Sequence, residues 1–159
     1  MDIKCTSIMS PVGTLSCFEE DDKIIVLEWG QVPQGIETPL LKEAKAQISA
    51  YFSAKLTQFD LPVDPHGTDH QKKVWQKMCE IPFGETRSYG DIAKELNSAA
   101  QAVGSACGKN PIPIIIPCHR IIGSNGNKGG YSGGEGLETK EQLLRLEQAV
   151  LTSRHQTSA

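Results

Sequence analysis

The hydrophobic and polar positions in the first third of the chain predict a few strands followed by one helix. Three strand-like runs, separated by Pro11-Val12-Gly13 and Asp21-Asp22 turns, indicate a small β-meander at Ile3–Met9, Thr14–Glu19 and Lys23–Trp29. Apolar residues then recur at helical spacing and predict one amphipathic helix, through Leu41, Ala44, Ile48, Tyr51 and Phe52. The segment 61–67 has two prolines and no periodicity. We interpret it as a linker between domains.

The chain after this linker contains several sequence patterns that mark the start of a helix. Thr68-x-x-Gln71 and Ser88-x-x-Asp91 are capping-box patterns, and each precedes an apolar run. After a turn at Asn97-Ser98, another short helix is predicted over Ala99–Cys107, ending at Gly108. Two short helices across a tight turn are typical of a DNA-binding helix-turn-helix, and also of two helices that simply pack together.

The second helix of this pair has an unusually thin surface. Its small residues are Ala99, Ala100, Ala102, Gly104, Ser105 and Ala106. Such a helix fits a close helix–helix contact, and equally a narrow space such as a DNA groove. The elements together predict an α/β (α+β) fold in three parts. These are an N-terminal β-meander-plus-helix domain with its linker over 1–66, a mostly helical domain over 67–151, and a flexible tail over 152–159.

Charge and cysteine content narrow the class of protein. The net charge is −3, but residues 1–66 carry 5 lysines and arginines against 10 acids, whereas residues 67–134 carry 8 against 5. A basic segment in an acidic chain favours a polyanionic partner, although an ordinary solvated surface gives the same pattern. Five cysteines without a C-x-x-C pair predict a reduced, cytoplasmic protein. No membrane span and no secretory signal are expected.

The segment 110–122 combines prolines and isoleucines with three reactive side chains. Its prolines disfavour a helix and its isoleucines indicate burial, yet Cys118, His119 and Arg120 stand in a row within it. A buried cysteine is usually inert packing. A cysteine beside a histidine that has a carboxylate partner is instead a potential nucleophile.

Helical phase locates a possible carboxylate partner. In the last helix, Glu147 shares the apolar face with Leu143, Leu144, Val150 and Leu151. An acid there is either paired inside the protein or marks an error in the assumed phase. Paired with His119, it would fix the imidazole tautomer and make a better base. The glycine-rich stretch 123–134 lies between them and predicts a mobile loop that lets backbone approach a ligand.

These motifs resemble a known family. Pro117-Cys118-His119-Arg120, with Asn110-Pro111-x-Pro113 before it and Tyr131-Ser132-Gly133-Gly134 after it, is similar to the signature of the O6-alkylguanine-DNA alkyltransferases. The similarity covers nearly the whole chain, more loosely at the N-terminus. It implies an RNase H-like first domain and a winged-helix or helix-turn-helix second domain. It also implies direct-reversal DNA repair, in which one alkyl (methyl) group moves from O6-alkylguanine, and from O4-alkylthymine, to the protein's own cysteine.

The resemblance also implies residue roles, with no cofactor and no metal. Cys118 accepts the alkyl group, His119 draws off its proton through a water, and Glu147 orients His119. Asn110 braces the active-site turn, and Tyr89 acts at the lesion phosphate and as a proton donor to the leaving guanine.

The implied partner is double-stranded DNA, bound by a monomer through the minor groove with the damaged guanine flipped out of the stack. The expected DNA contacts are Gln101, Ala102, Arg120, Ser132, Tyr131, Ser98 and Lys109. Gln101 stands where the family usually has the arginine that fills the gap left by the flipped base, so DNA affinity and flipping are expected to be weaker.

Three other interpretations remain open at this point. A non-catalytic lesion sensor would bind DNA without reacting, but such proteins lack the cysteine that is present here as Cys118. A cysteine hydrolase would need an oxyanion hole and would turn over repeatedly. In the third, Cys118 is merely structural.

Overall fold

The chain forms two compact units, Met1–His66 and Gly67–Ala159. The computed structural model describes residues 3–32, 35–123, 131 and 133–157, with side chains described as far as residue 154. Within these ranges, no helix combines the length and the apolar character needed to cross a membrane.

The first unit is an antiparallel meander with one helix. Its strands β1 (Cys5–Ser10), β2 (Gly13–Glu20) and β3 (Lys23–Trp29) pair in chain order. Helix α1 (Pro39–Phe52) is preceded by the N-cap residue Thr38, whose side chain accepts a hydrogen bond from the backbone N–H of Leu41. Pro39 follows at the first helical position, where a proline is well tolerated. The predicted meander and helix are confirmed; the ends of β1 and β2 differ from the prediction by one or two residues, and those of β3 agree with it.

One core holds the first unit together. It lies between the sheet and α1 and is formed by Ile8, Leu15, Ile24, Leu27, Leu41, Ala44, Ile48 and Tyr51. The indole Nε1 of Trp29 donates to the carbonyl of Val12 at 2.9 Å. Part of the predicted linker belongs to this unit, because Ile24 exchanges backbone hydrogen bonds with Pro62 (2.9 Å) and Asp64 (2.8 Å). Extended, proline-containing backbone can pair in this way even though it has no periodicity.

The second unit is mostly helical. Its elements are α2 (Asp69–Cys79), β4 (Arg87–Ser88), α3 (Tyr89–Leu96), α4 (Ala100–Gly108), a 3-10 turn (Cys118–Arg120), β5 (Ile121–Ile122) and α5 (Leu137–Thr157). Both predicted capping boxes are present, at the starts of α2 and α3. The fold class predicted from the sequence, an α+β fold with a mostly helical second part, is confirmed.

Helices α3 and α4 form the predicted pair across a tight turn. Asn97 ends α3 in the left-handed region (φ 52°), which turns the chain towards α4. One face of the thin helix α4 packs inward through Val103 and Ala106. The carbonyl of Ala106 accepts a 2.8 Å hydrogen bond from the buried indole of Trp75 on α2. The opposite face, with Gln101 and Ser105, is exposed.

Two very short strands place the start of α3 beside the cysteine-containing turn. Strands β4 and β5 are parallel, with Arg87 opposite Ile121 and Ser88 opposite Ile122. Because α3 begins directly after β4, and the 3-10 turn ends directly before β5, the ladder brings Tyr89 towards Cys118–Arg120.

The last helix is longer than predicted. Helix α5 continues to Thr157, well into the segment 152–159 that was predicted to be a flexible tail. No glycine or proline interrupts residues 137–157, and Val150 still contributes to the core near the end of the helix. The helical conformation therefore extends well past Val150.

Candidate active site

A single asparagine holds the turn that leads to the cysteine. The Nδ2 of Asn110 donates to the carbonyl of Ile116 at 2.9 Å, and its Oδ1 accepts from the backbone N–H of Ile112 at 3.0 Å. One amide therefore satisfies backbone groups on both sides of a segment whose prolines cannot form regular structure.

The same turn contains a strained residue. Ile114 has a φ of 75°, and the N–H of Ile115 donates to the carbonyl of Pro113 at 2.9 Å, so Ile114 is the centre of a γ-turn. A β-branched residue in this region costs on the order of 1–3 kcal/mol. Burial of Ile112, Ile114 and Ile116 offsets that cost and fixes the backbone just before Cys118.

Cys118 begins the 3-10 turn and is only 8% exposed. Burial raises the pKa of its thiol, while hydrogen bonds from Asn110 and Tyr131 and the charge of Lys140 act in the opposite direction. Because burial dominates, the thiol holds its proton at neutral pH. A base has to remove that proton before the sulfur can act as a strong nucleophile.

The imidazole next to the thiol in the chain has a carboxylate partner. The Nε2 of His119 lies 2.6 Å from Oε2 of Glu147, and both side chains are buried. Burial lowers the pKa of His119, so the imidazole is neutral. With Nε2–H donating to Glu147, Nδ1 is the acceptor, and it has no hydrogen-bond partner in the described part of the chain.

The carboxylate of Glu147 accepts hydrogen bonds from three residues of the site. Oε2 accepts from His119 and from Nη2 of Arg120 (3.1 Å), while Oε1 accepts from Nε of Arg120 (2.9 Å) and from the N–H of Gly84 (3.0 Å). Although burial alone would raise it, these partners bring the pKa of Glu147 to about 2. The predicted helical phase is therefore right, and the buried acid has internal partners.

Arg120 requires a correction. Arg120 was predicted to contact DNA, but it is 7% exposed and its guanidinium points inward. Besides Glu147 it donates to the carbonyl of Ile81 at 2.7 Å, and it lies 5.6 Å from the ring centre of Phe83. An arginine so enclosed by protein acceptors has no free fork for a phosphate or a base.

Lys140 is a residue of the site that was not predicted from the sequence. This lysine is completely buried, donates to the carbonyl of Ile121 at 2.6 Å, and has its Nζ 5.9 Å from the ring centre of Tyr89. Burial lowers its pKa, while Cys118 and Cys107 act against that shift. Its position in the helical repeat could have revealed its burial. Residue 140 precedes Leu143 by three positions and Glu147 by seven, which places all three on the same face of α5.

Two tyrosines approach the thiol. Burial, followed by the nearby Cys107 and Cys118 thiols, raises the pKa of Tyr89, so its hydroxyl keeps its proton at neutral pH. The ring of Tyr89 also lies against α4, where a β-carbon on Gly104 would be 3.8 Å from it. Burial raises the pKa of Tyr131 as well, and Cys118 adds to that effect.

The predicted DNA contacts lie in two places. Gln101 and Lys109 are exposed and Ala102 is half-buried, all on or just after α4. Ser98, in the turn before α4, pairs its hydroxyl with Nε2 of His70 at 2.9 Å. Tyr131 lies by the thiol instead, and Ser132 is outside the described residues. Among the residues described, no group of three or more His, Cys, Asp or Glu side chains could hold a metal ion.

The fold and the site together define a class of protein, one that combines a helix-turn-helix with a thiol, an imidazole and a carboxylate in its core. The chain matches the family models of the 6-O-methylguanine DNA methyltransferases, with the ribonuclease-like domain at residues 3–65 and the DNA binding domain at residues 69–149. It belongs to that family, as its motifs predict.

Individual relatives agree with this classification. The methylated-DNA–protein-cysteine methyltransferase of Methanosarcina barkeri is 45% identical over 89% of this chain and 94% of its own length. A constitutive enzyme of the same name from Bacillus subtilis is 42% identical over 89% and 93%. The crystal structure of Mycobacterium tuberculosis OGT in complex with DNA has a TM-score of 0.83 and 41% identity, covering 92% of this chain and 94% of that one. The predicted enzyme class is confirmed.

Proposed function

We propose that this protein repairs O6-methylguanine in DNA by moving the methyl group irreversibly to Cys118, once per molecule. The observation that carries the proposal is the 2.6 Å contact between Nε2 of His119 and Oε2 of Glu147. His119 directly follows the buried thiol of Cys118, and all three residues lie in the DNA binding domain of this family. We propose the same reaction for larger O6-alkyl groups and for O4-alkylthymine.

The chemistry follows from the positions of the proton acceptors. The thiol proton of Cys118 passes through a water to Nδ1 of His119, while Glu147 holds the opposite side of the ring and stabilises the imidazolium. The sulfur then attacks the alkyl carbon in line, so that the S–C bond forms as the C–O6 bond breaks. The product is a thioether, and because nothing in the site hydrolyses a thioether, the protein acts once.

The leaving guanine needs a proton to depart as the neutral base. Tyr89 supplies it, since its raised pKa keeps the hydroxyl protonated at neutral pH. Asn110 keeps the turn rigid through its two backbone hydrogen bonds. The reaction requires no metal and no organic cofactor.

DNA binds as a duplex at α4 and the turn before it. The thin exposed face of that helix suits the minor groove, where bulky side chains would clash. Gln101 and Ala102 enter the groove, Ser98 and Lys109 contact the backbone, and Tyr131 and Ser132 receive the flipped base. Residues 67–151 carry out both binding and transfer, with the protein acting as a monomer in the cytoplasm.

An intact-mass measurement tests the reaction. After mixing with excess O6-methylguanine duplex, each molecule should gain one methyl mass, and peptide mapping should place it on Cys118. Cys118→Ser should gain nothing yet still bind the duplex, because serine is nearly isosteric and far less nucleophilic. The matched control is Cys107→Ser, at a neighbouring half-buried thiol, which should react as the wild type does.

The alternatives predict other results. A lesion sensor would bind without any gain in mass, and a hydrolase would release product repeatedly from one molecule. A methyl group on Cys107 or Cys79 instead of Cys118 would show that the buried thiol is structural.

A further inference from the structure

We propose that Arg120 is a positioning residue for the transfer: its guanidinium fixes the Glu147 carboxylate and balances its charge, so that His119 stays neutral and ready to accept the thiol proton. This inference rests on the roles proposed above for His119 and Glu147. It concerns an arginine inside the protein rather than one on the DNA-binding face.

The first support is the geometry of the ion pair. Nε of Arg120 donates to Oε1 of Glu147 at 2.9 Å and Nη2 donates to Oε2 at 3.1 Å, a two-point contact between fork and carboxylate. The third nitrogen, Nη1, is tied to the carbonyl of Ile81 at 2.7 Å. With the ring of Phe83 beside it, the guanidinium is held from several sides. It is therefore a rigid reference for the acid.

This rigidity reaches the imidazole through one oxygen. Oε2 of Glu147 accepts from both His119 Nε2 and Arg120 Nη2. Without Arg120, the carboxylate would lose the two-point contact that fixes its plane, and the N–H of Gly84 holds only Oε1. The carboxylate plane could then rotate, and the imidazole that hydrogen-bonds to it would follow. Arg120 thus sets the direction in which Nδ1 points.

The second support is the charge balance around His119. Among the described residues, the charged groups that act on it are Glu147 and Lys140 from α5 and Arg120 from its own turn, and the Cys118 thiol precedes it in the chain. A lone carboxylate would draw a proton onto the imidazole, and an imidazolium cannot accept the proton of the thiol. The charges of Arg120 and Lys140 oppose that effect and, together with burial, keep the pKa of His119 below its ordinary value.

The pH profile of the transfer rate separates this role from simple structural support. Single-turnover rates on an O6-methylguanine duplex are measured between pH 5 and 9, at protein concentrations where the rate no longer rises. For Arg120→Met we expect the acid side of the profile to move to higher pH, by about one unit. That shift corresponds to about a tenfold loss of rate below the transition, recovered in part at alkaline pH. Arg145→Met, at an exposed arginine on α5, is the matched control and should follow the wild-type profile.

Arg120→Lys separates charge from geometry. Lysine keeps a positive charge but cannot form the two-point contact. We expect its profile to stay in place on the pH axis while the maximum rate falls several-fold. If Arg120→Met does not fold, as judged by circular dichroism, this variant decides, and an unchanged maximum rate would overturn the proposal.

Other outcomes point to distinct failures. If Arg120→Met lowers the rate equally at every pH, or not at all, Arg120 does not control the state of His119 and the inference is wrong. Glu147→Gln, measured in parallel, tests the underlying site. Wild-type rates in that variant would remove Glu147 from the reaction altogether, and the failure would then belong to the proposed function.

Discussion

Replacement of Glu147 by glutamine changes a single charge in the core of the site. Each carboxylate oxygen accepts two hydrogen bonds, from His119 and Arg120 on one side and from Arg120 and Gly84 on the other. Glutamine has only one oxygen, so its NH₂ group must face two donors whichever way the amide is oriented. At least one hydrogen bond is therefore lost, and the buried Arg120 loses its counter-charge.

Both effects should be large enough to measure. Leaving a buried ion pair without one partner costs about 3–5 kcal/mol, which should lower the melting temperature by on the order of 10 °C. If the NH₂ group faces Nε2 of His119, the ring proton moves to Nδ1, and the acceptor for the thiol proton is gone. Loss of a positioned base typically slows a reaction by about 100-fold or more, and we expect that for methyl transfer.

Two assays and a control check this prediction. Thermal unfolding gives the change in stability, and single-turnover transfer to an O6-methylguanine duplex gives the rate. Glu138→Gln makes the same chemical change at an exposed position on the same helix and should alter stability by less than about 1 kcal/mol. A Glu147→Gln protein that melts and reacts like the wild type would show that the Glu147 contacts have no energetic weight.

Two further predictions concern DNA and acid. Gln101→Arg should speed repair of duplex DNA, because arginine adds charge and reach, and should leave the reaction with free O6-methylguanine unchanged. Equal acceleration of both substrates would mean that Gln101 does not enter the duplex. Stability should fall on acidification, because unfolding returns the lowered pKa values of His119 and Glu147 to 6.5 and 4.5 and so takes up protons. The loss of stability should begin below about pH 6.5, from His119, and continue from about pH 4.5 towards 2, from Glu147. Urea titrations at several pH values measure it, and an undiminished loss below pH 4.5 in Glu147→Gln would contradict this.

The elements that local patterns specify were predictable from the sequence. The capping boxes at Thr68 and Ser88 satisfy backbone donors of their own helices, so the signal and the structure lie within four residues. The burial of Glu147 follows from helical phase in the same way. These features need no knowledge of the rest of the fold.

Features that depend on long-range contacts were not predictable. Strands β4 and β5 have two residues each, too few for any alternation, and they exist only because they pair with each other. Arg120 stands next to His119 in the sequence, but the direction of its side chain is set by a helix 27 residues away. The positive charge of the segment suggested that Arg120 binds a DNA phosphate. Its guanidinium binds the buried carboxylate of Glu147 instead, because a desolvated carboxylate is a strong acceptor.

The two tryptophans divide evenly between the two units. Trp29 bonds to Val12 within the first unit, and Trp75 bonds to Ala106 within the second. Each unit therefore contains its own fluorescent reporter, placed where loss of the local packing exposes an indole to water. With Trp29→Phe and Trp75→Phe variants, emission from the remaining tryptophan would report the melting of one half of the molecule at a time, and would show whether methylation of the thiol loosens its own half first.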